Sequence, residues 1–358
     1  MSLHPRIDKL ERNKIINGNF NVWQRGESFT GADISFNYTA DRWQYQETTS
    51  VGACTVTKST DTPAGYSGYS YNTEATTGYG ALAVNDLSRV RTILEGADVA
   101  GLRNKEYTIS FHIKAAVAGT FVVTNGASAN GSVGSFVHNK LITINAANTW
   151  EKKTIIIPAL EFAWANDNGR GLELNFTFAA GTNFDSSTTD VWSPAGGGVN
   201  IGHSSMTNFL SSTNNYVRLF NVMLNEGSEA GEFNTAGANV AEELVMCQRY
   251  YEKIIGLRAA SADQSVSTSQ GYAYFDLKVD KRLASYTIIM GASIANGSRY
   301  YGPSGLRGFS SVVASQSFIS SVRILYTISG TVVTQYTGGS YVIILTGAED
   351  YIAADAEL

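Results

Sequence analysis

The chain is short of charge. Only 16% of its 358 residues are Asp, Glu, Lys or Arg, against roughly a quarter in an average soluble protein. Helices draw their solubility from Lys and Glu, so this composition argues against a mainly helical protein. Ser, Thr, Asn, Gly and Tyr must build the surface, and they suit the outer faces of strands. Basic residues are scarce too: 26 Lys and Arg against 31 Asp and Glu give a net charge of -5. A phosphate backbone needs a basic field, so nucleic acid is not the expected partner. Cysteine is nearly absent. Cys54 and Cys247 stand far apart, and two buried free thiols fit better than a disulfide. No apolar run approaches ~18 residues, so no membrane insertion is expected. The opening "MSLHPRIDKLERNK" lacks an apolar signal core, and synthesis in a cytoplasm is the expectation.

What is present reads as β-structure. Hydrophobic residues make up 43% of the chain, enough for a sizeable core, and the length allows two or three domains. After a short N-terminal segment, residues 1–14, the pattern from 15 to 235 is one of short strands. In "LELNFTF", Leu172, Leu174, Phe176 and Phe178 face one way, while Glu173, Asn175 and Thr177 face the other. "YTISFHIK" does the same through Ile109, Phe111 and Ile113, which leaves His112 on the opposite, solvated face. Turn pairs recur at Asn17-Gly18, Asn125-Gly126, Asn130-Gly131 and Asn168-Gly169. Many short antiparallel strands over this length predict a large jelly-roll β-sandwich.

One stretch breaks the pattern. In residues 236–256, Asn239 is a capping residue, and Val240, Leu244, Cys247, Tyr251 and Ile254 follow at spacings of 4, 3, 4 and 3. Glu242 and Glu243 near the start, and Arg249 and Lys253 near the end, suit the helix dipole. Gly256 is the expected stop. A helix this short needs a partner for its stripe, either its own domain or copies of itself about an axis. Residues 257–358 return to strands such as "YAYFDLKVD", "SVRILYTI", "TVVTQY" and "SYVIILTG", and predict a smaller C-terminal β-domain.

Signs of catalysis are poor. His4, His112, His138 and His203 have no metal-ligand spacing. "GHSSM" at 202–206 opens like a nucleophile elbow but lacks its second glycine. The carboxylates Glu161, Asp167, Asp185 and Asp190 sit in loops, with nothing to pair them as glycoside hydrolysis requires. The chain reads as non-enzymatic, with no required cofactor. Aromatics in small-residue loops are the better signal, because Tyr and Trp stack on sugar rings and hold a polar tip at the rim. The loop 61–80 carries Tyr66, Tyr69, Tyr71 and Tyr79; Trp164 and Trp192 lie in other loops. These six are the candidate glycan contacts. Trp23, Trp43 and Trp150 stand beside strand-like runs and read as core.

Several phrases resemble bacteriophage tail-fibre and related virion proteins. They are "IINGNFNVWQRGESF" at 15–29, "YTADRWQY" at 38–45, "RLFNVMLNEGSEAGEFN" at 218–234, "EELVMCQRYYEKI" at 242–254 and "YIAADAEL" at the end. The 218–234 stretch is similar to the exit of jelly rolls of carbohydrate-binding-module type. The resemblance implies a virion component that attaches to host-surface polysaccharide as a homotrimer, alongside other virion proteins. It favours the helix stripe as the seam between copies. It also leaves room for a structural Ca²⁺, for which no ligand set is readable. Two alternatives stand beside this one: a decoration or connector protein with no ligand, and a polysaccharide depolymerase.

Overall fold

The computed structural model describes residues 13–31, 37–48, 53–128, 135–195, 200–255, 261–265, 270–283, 286–290, 299–302, 305–318, 321–328, 342–344 and 351–357. Residues 1–12, the Asn130-Gly131 turn, Gly256 and the run at 331–336 lie outside these. The chain divides into two compact units, the first ending at Glu243 and the second running from Leu244 to Glu357.

The first unit is a two-sheet antiparallel β-sandwich. Its strands are β1 (Ser28–Gly31), β2 (Asn37–Tyr38), β3 (Trp43–Thr48), β4 (Ala53–Ser59), β5 (Ser70–Thr77), β6 (Leu87–Glu95), β7 (Tyr107–Ala115), β8 (Gly119–Ala127), β9 (Phe136–Ile144), β10 (Glu151–Ile157), β11 (Arg170–Ala180), β12 (Trp192–Pro194) and β13 (Tyr216–Glu226); a short helix, α1 (Gly96–Val99), follows β6. One sheet has the order β1-β4-β5-β13-β7-β10, the other β12-β9-β8-β11-β6-β3-β2. The alternation in the sequence sets the core. Leu172, Leu174, Phe176 and Phe178 of β11 are buried against Ile109, Phe111 and Ile113 of β7, and the Phe111 and Phe176 rings meet edge to face at 5.0 Å. Each such side chain contributes about 1.5–3 kcal/mol on leaving water. Trp23 and Trp43 are in the same core.

The N-terminal segment is laced to β13. Asn13 donates from Nδ2 to Val222 O (3.0 Å) and accepts at Oδ1 from Leu224 N (2.9 Å). Val222 N donates to Gly18 O at 2.8 Å. A Cβ on Gly18 would sit 2.1 Å from that same Val222 oxygen, so the approach requires glycine.

The second unit contains α2 (Val240–Gln248, entered from the first unit), β14 (Tyr251–Ile255), β15 (Ser261–Ser265), β16 (Gln270–Asp276), β17 (Thr287–Met290), β18 (Arg299–Gly302), β19 (Gly305–Phe318), β20 (Ser321–Ile328), β21 (Val342–Ile344) and β22 (Tyr351–Asp355). They form a three-stranded sheet, β14-β22-β17, and a six-stranded one, β15-β16-β20-β19-β18-β21.

Here the structure corrects the helix predicted from spacing. Asn239 caps α2 by accepting from the N–H groups of Ala241 (2.9 Å) and Glu242 (3.1 Å), but the helix stops at Gln248. Tyr251 and Ile254 belong to β14, which pairs residue for residue with β22. Aromatic and β-branched side chains fit a strand better than a helix, and the partner strand lies a hundred residues downstream. Cys247 is fully buried, whereas Val240 is 59% and Val245 49% exposed. The apolar surface that α2 presents therefore centres on Val240 and Val245, with Leu244 half-buried beside them. Lys281 closes the helix: its ammonium bonds to Gln248 O, to Glu252 Oε2 at 2.8 Å and to Val279 O at 2.9 Å.

Candidate functional site

The outer face of the first sheet gathers rings and charges. Register places Thr57, Asn72, Arg218 and Lys114 in one row across β4, β5, β13 and β7, with Trp150 just ahead of β10. Residues 60–69 lie over this row. Asp61 accepts from Lys114 Nζ (2.8 Å), from Trp150 Nε1 (3.0 Å) and from Arg218 Nη1. Burial alone would raise this carboxyl, but the bonds from Lys114 and Trp150 and the charge of Arg218 outweigh it and hold Asp61 below the usual carboxylate range. Arg218 also donates from Nε to Asn72 Oδ1 at 2.9 Å and lies 4.0 Å from the Tyr216 ring centre.

Tyr66 comes from the same loop. Its N–H donates to Pro63 O at 3.0 Å, closing a turn with Gly65 at φ 84°, a third-position geometry that favours glycine. The Tyr66 ring sits 5.2 Å from His112 and 5.6 Å from Phe220, and Trp150 sits 6.2 Å from Phe220 on another side. A bulge at Asn221, φ 51°, shifts the β13 register beyond Phe220. Phe220 is only 2% exposed beneath the cluster, while Tyr66 is 45% exposed. His112 is thus covered rather than solvated, and burial, aided by the charge of Lys152, pushes its pKa down. Tyr69, farther along the loop, carries the Lys58 ammonium 4.1 Å above its ring.

The other predicted contacts divide. Tyr71 and Tyr79 are fully buried core residues. Tyr71 lies in β5, where the inward alternation continues through Thr73 and Ala75, residues too small or polar to mark a strand by hydrophobicity. Trp164 is 3% exposed and packs in the core. None of these three can stack on an external sugar. Trp192 is half-buried on the edge strand β12, its ring 5.5 Å from His138 and its N–H bonded to Pro158 O at 2.8 Å. Trp150, read from sequence as core, is instead half-buried beside Phe220 on the outer face of the sheet. Sequence reasoning missed it because its neighbours on the sheet face come from four separate strands.

The outer face of the second sheet is polar and buried. Arg91 donates to Gln44 Oε1 (2.7 Å) and Glu173 Oε1 (2.9 Å), and Arg89 to Gln46 Oε1 (2.8 Å) and Asn175 Oδ1 (2.7 Å). Burial lowers Arg89 to about 10, partly offset by Glu173. Two buried atoms on this face, Thr177 Oγ1 and Asn139 Nδ2, have no hydrogen-bond partner.

The carboxylates weighed for hydrolysis serve separately. Asp167 accepts from Gly169 N at 2.8 Å, Asp190 pairs with Lys140, and Asp185 lines a cavity. His203 and Ser205 of "GHSSM" form a local turn, with Nδ1 and Oγ 2.8 Å apart. Among the described residues no three His, Cys, Asp or Glu side chains gather where a metal could sit, so none is assigned to Ca²⁺. No helix described is long and apolar enough to cross a membrane.

No family model matches the chain, and no curated protein matches it in sequence. Among solved structures, it is similar to the enzymatically active domain of bacteriophage CBA120 tailspike protein 4, over 60% of this chain, at 13% identity and TM-score 0.32; it spans 21% of that chain. It is similar to the family 11 carbohydrate-binding module from Clostridium thermocellum, solved with a β-1,3-1,4-mixed-linked tetrasaccharide. That match covers 57% of this chain and 98% of the module, at 13% identity and TM-score 0.30. The CBM22-1 xylan-binding domain from Paenibacillus barcinonensis Xyn10C matches 59% of this chain and 93% of its own, at 12% identity and TM-score 0.25. Likenesses this distant say nothing of what this chain binds.

Proposed function

We propose that this chain is a non-enzymatic attachment protein of a bacteriophage virion, binding host-surface polysaccharide as a homotrimer. The observation that carries the binding role is the Tyr66–Phe220–Trp150 cluster with Asp61, Lys114 and Arg218 at its edge. Two aromatic rings offer apolar faces for the C–H side of a pyranose, and the charged groups beside them offer donors and an acceptor to its hydroxyls. The rings are held by a glycine-dependent turn and a buried phenylalanine, so little ordering entropy is lost on binding. The virion role is supported by the phrases quoted above. Self-association is supported by the exposed Val240 and Val245 on α2, and three linked copies would strengthen a weak single contact through effective concentration.

A glycan array probed with the intact chain and with Trp150→Ala tests the binding role. Signal on one or more polysaccharides, lost in the variant, is the expected result. A silent array, or equal signal from both proteins, removes the role and leaves a connector protein. Light scattering at micromolar concentration tests the assembly: a mass near three times 38.5 kDa is expected, and a stable monomer contradicts it.

A further inference from the structure

The chain at 82–84, around the end of β11 and at 203–208 lines an open cavity of about 210 Å³. Its lining includes the apolar side chains of Leu82, Val84 and Met206 and the polar ones of Asp185, His203 and Ser204. The frame is firmly held. Thr207 Oγ1 accepts from Thr120 N at 3.0 Å, and Asn208 accepts from Leu210 N at 3.1 Å while donating to Tyr79 O. Asp185 donates its backbone N–H to Thr182 O at 3.2 Å and bridges to Gly202.

His203 Nδ1 accepts the backbone N–H of Ser205 at 3.1 Å. Ser205 Oγ lies 2.8 Å from the same nitrogen. Both contacts fall on Nδ1, so Nε2 is the ring atom left for a ligand, and the Nε2–H tautomer would donate there. Asp185, half-buried, offers carboxylate oxygens that hold no hydrogen bond or ion pair among the described residues. Polar groups and apolar side chains line one space, below the roughly 300–1,000 Å³ of pockets for drug-sized ligands.

We infer that this cavity binds a single uncharged sugar residue, separately from the aromatic platform. The C–H face of a pyranose lies on Leu82, Val84 and Met206. Neighbouring hydroxyls donate to Asp185, and a hydroxyl oxygen accepts from His203 Nε2. A carboxylate receiving two hydroxyl donors makes the stronger, charge-assisted kind of hydrogen bond.

The test is saturation-transfer NMR of the full chain with methyl glucoside, methyl galactoside and methyl mannoside, alongside glucosamine. At least one neutral pyranoside binds; with the platform removed by Tyr66→Ala/Trp150→Ala the signal persists, and Asp185→Ala and His203→Gln in that background each weaken it about tenfold. Melting curves confirm that the variants fold. The inference fails if no neutral pyranoside binds, or if glucosamine alone does, which would make the cavity a cation site. It fails equally if folded Asp185→Ala in that background binds as well as its parent, or if Tyr66→Ala/Trp150→Ala abolishes the signal and so assigns it to the platform.

Discussion

The backbone N–H of Asn17 donates to Glu243 Oε1 in the interior of the protein, joining positions 226 residues apart. The other carboxylate oxygen takes Gly237 N–H at 2.6 Å. Asn17 itself, at φ 57°, ties its side chain to Val22 O (2.8 Å), Asp41 O (2.9 Å) and Val22 N (3.0 Å), and its carbonyl accepts from Trp43 Nε1 at 3.0 Å. The phrase "INGNF" is therefore a clasp. It closes the N-terminal segment onto the entry to α2.

Asn17→Ala removes three side-chain hydrogen bonds and strands Asp41 O and Val22 N, while Val22 O keeps the Asp41 N–H at 3.0 Å. Each stranded group costs about 1–3 kcal/mol, so a loss of roughly 3 kcal/mol or more and a melting temperature lower by about 10 °C are expected for a unit of this size. Scanning calorimetry reads this directly; a shift under about 2 °C would show that the clasp is not needed.

Deleting residues 351–358 takes β22 out from between β14 and β17, the strand both pair with among the described residues. Hydrogen exchange at Tyr251–Ile255 then rises to the rate of open chain, while β11 in the sandwich keeps its protection. Retained protection at Ile254 would place that residue in the helix after all.

Acid weakens the fold through its covered histidines. Burial lowers the pKa of His112 and, as the largest of several influences, that of His138. The unfolded chain therefore takes up those protons first. Their contribution is complete above about pH 6.5, the ordinary His value, and is lost as pH falls from there through the depressed native values. Asp61, held low, adds a further loss only below the usual carboxylate range. The melting temperature at pH 5 is expected below that at pH 7.5, and His112→Gln narrows the gap. An unchanged gap would free His112 from any share in it.

Lys281 and Glu252 form a buried pair, with side-chain exposures of 0% and 1%. Lys281→Met leaves Glu252 short of its cation, a change worth about 3–5 kcal/mol. Chemical denaturation monitored in the second unit checks this; wild-type stability would mean the pair contributes nothing to the fold.

Much of the sandwich was legible because its strands keep strict alternation. Leu172 to Phe178 and Ile109 to Ile113 announce their inward faces, and both sheets follow. The helix was half legible. Asn239 marks its start, but nothing local marks its end, because the strand that captures Tyr251 and Ile254 lies at 351–355. The platform was legible only at Tyr66. Trp150 and Phe220 meet through sheet pairing, and Asp61 reaches them through a loop. Conversely, loop-like composition around Trp164, Tyr71 and Tyr79 concealed side chains that fill the core, since small polar neighbours also occur on well-formed strands.

The account rests on two rings above Phe220 doing the binding. Its most direct test is the affinity of the intact protein for a polysaccharide it recognises, measured for the parent, Tyr66→Ala/Trp150→Ala and Trp192→Ala. Each platform ring supplies on the order of 1.4 kcal/mol, about tenfold in affinity. The double variant should therefore bind roughly a hundredfold more weakly, with Trp192→Ala close to the parent. Undiminished binding by the double variant, or a loss confined to Trp192→Ala, would contradict the account.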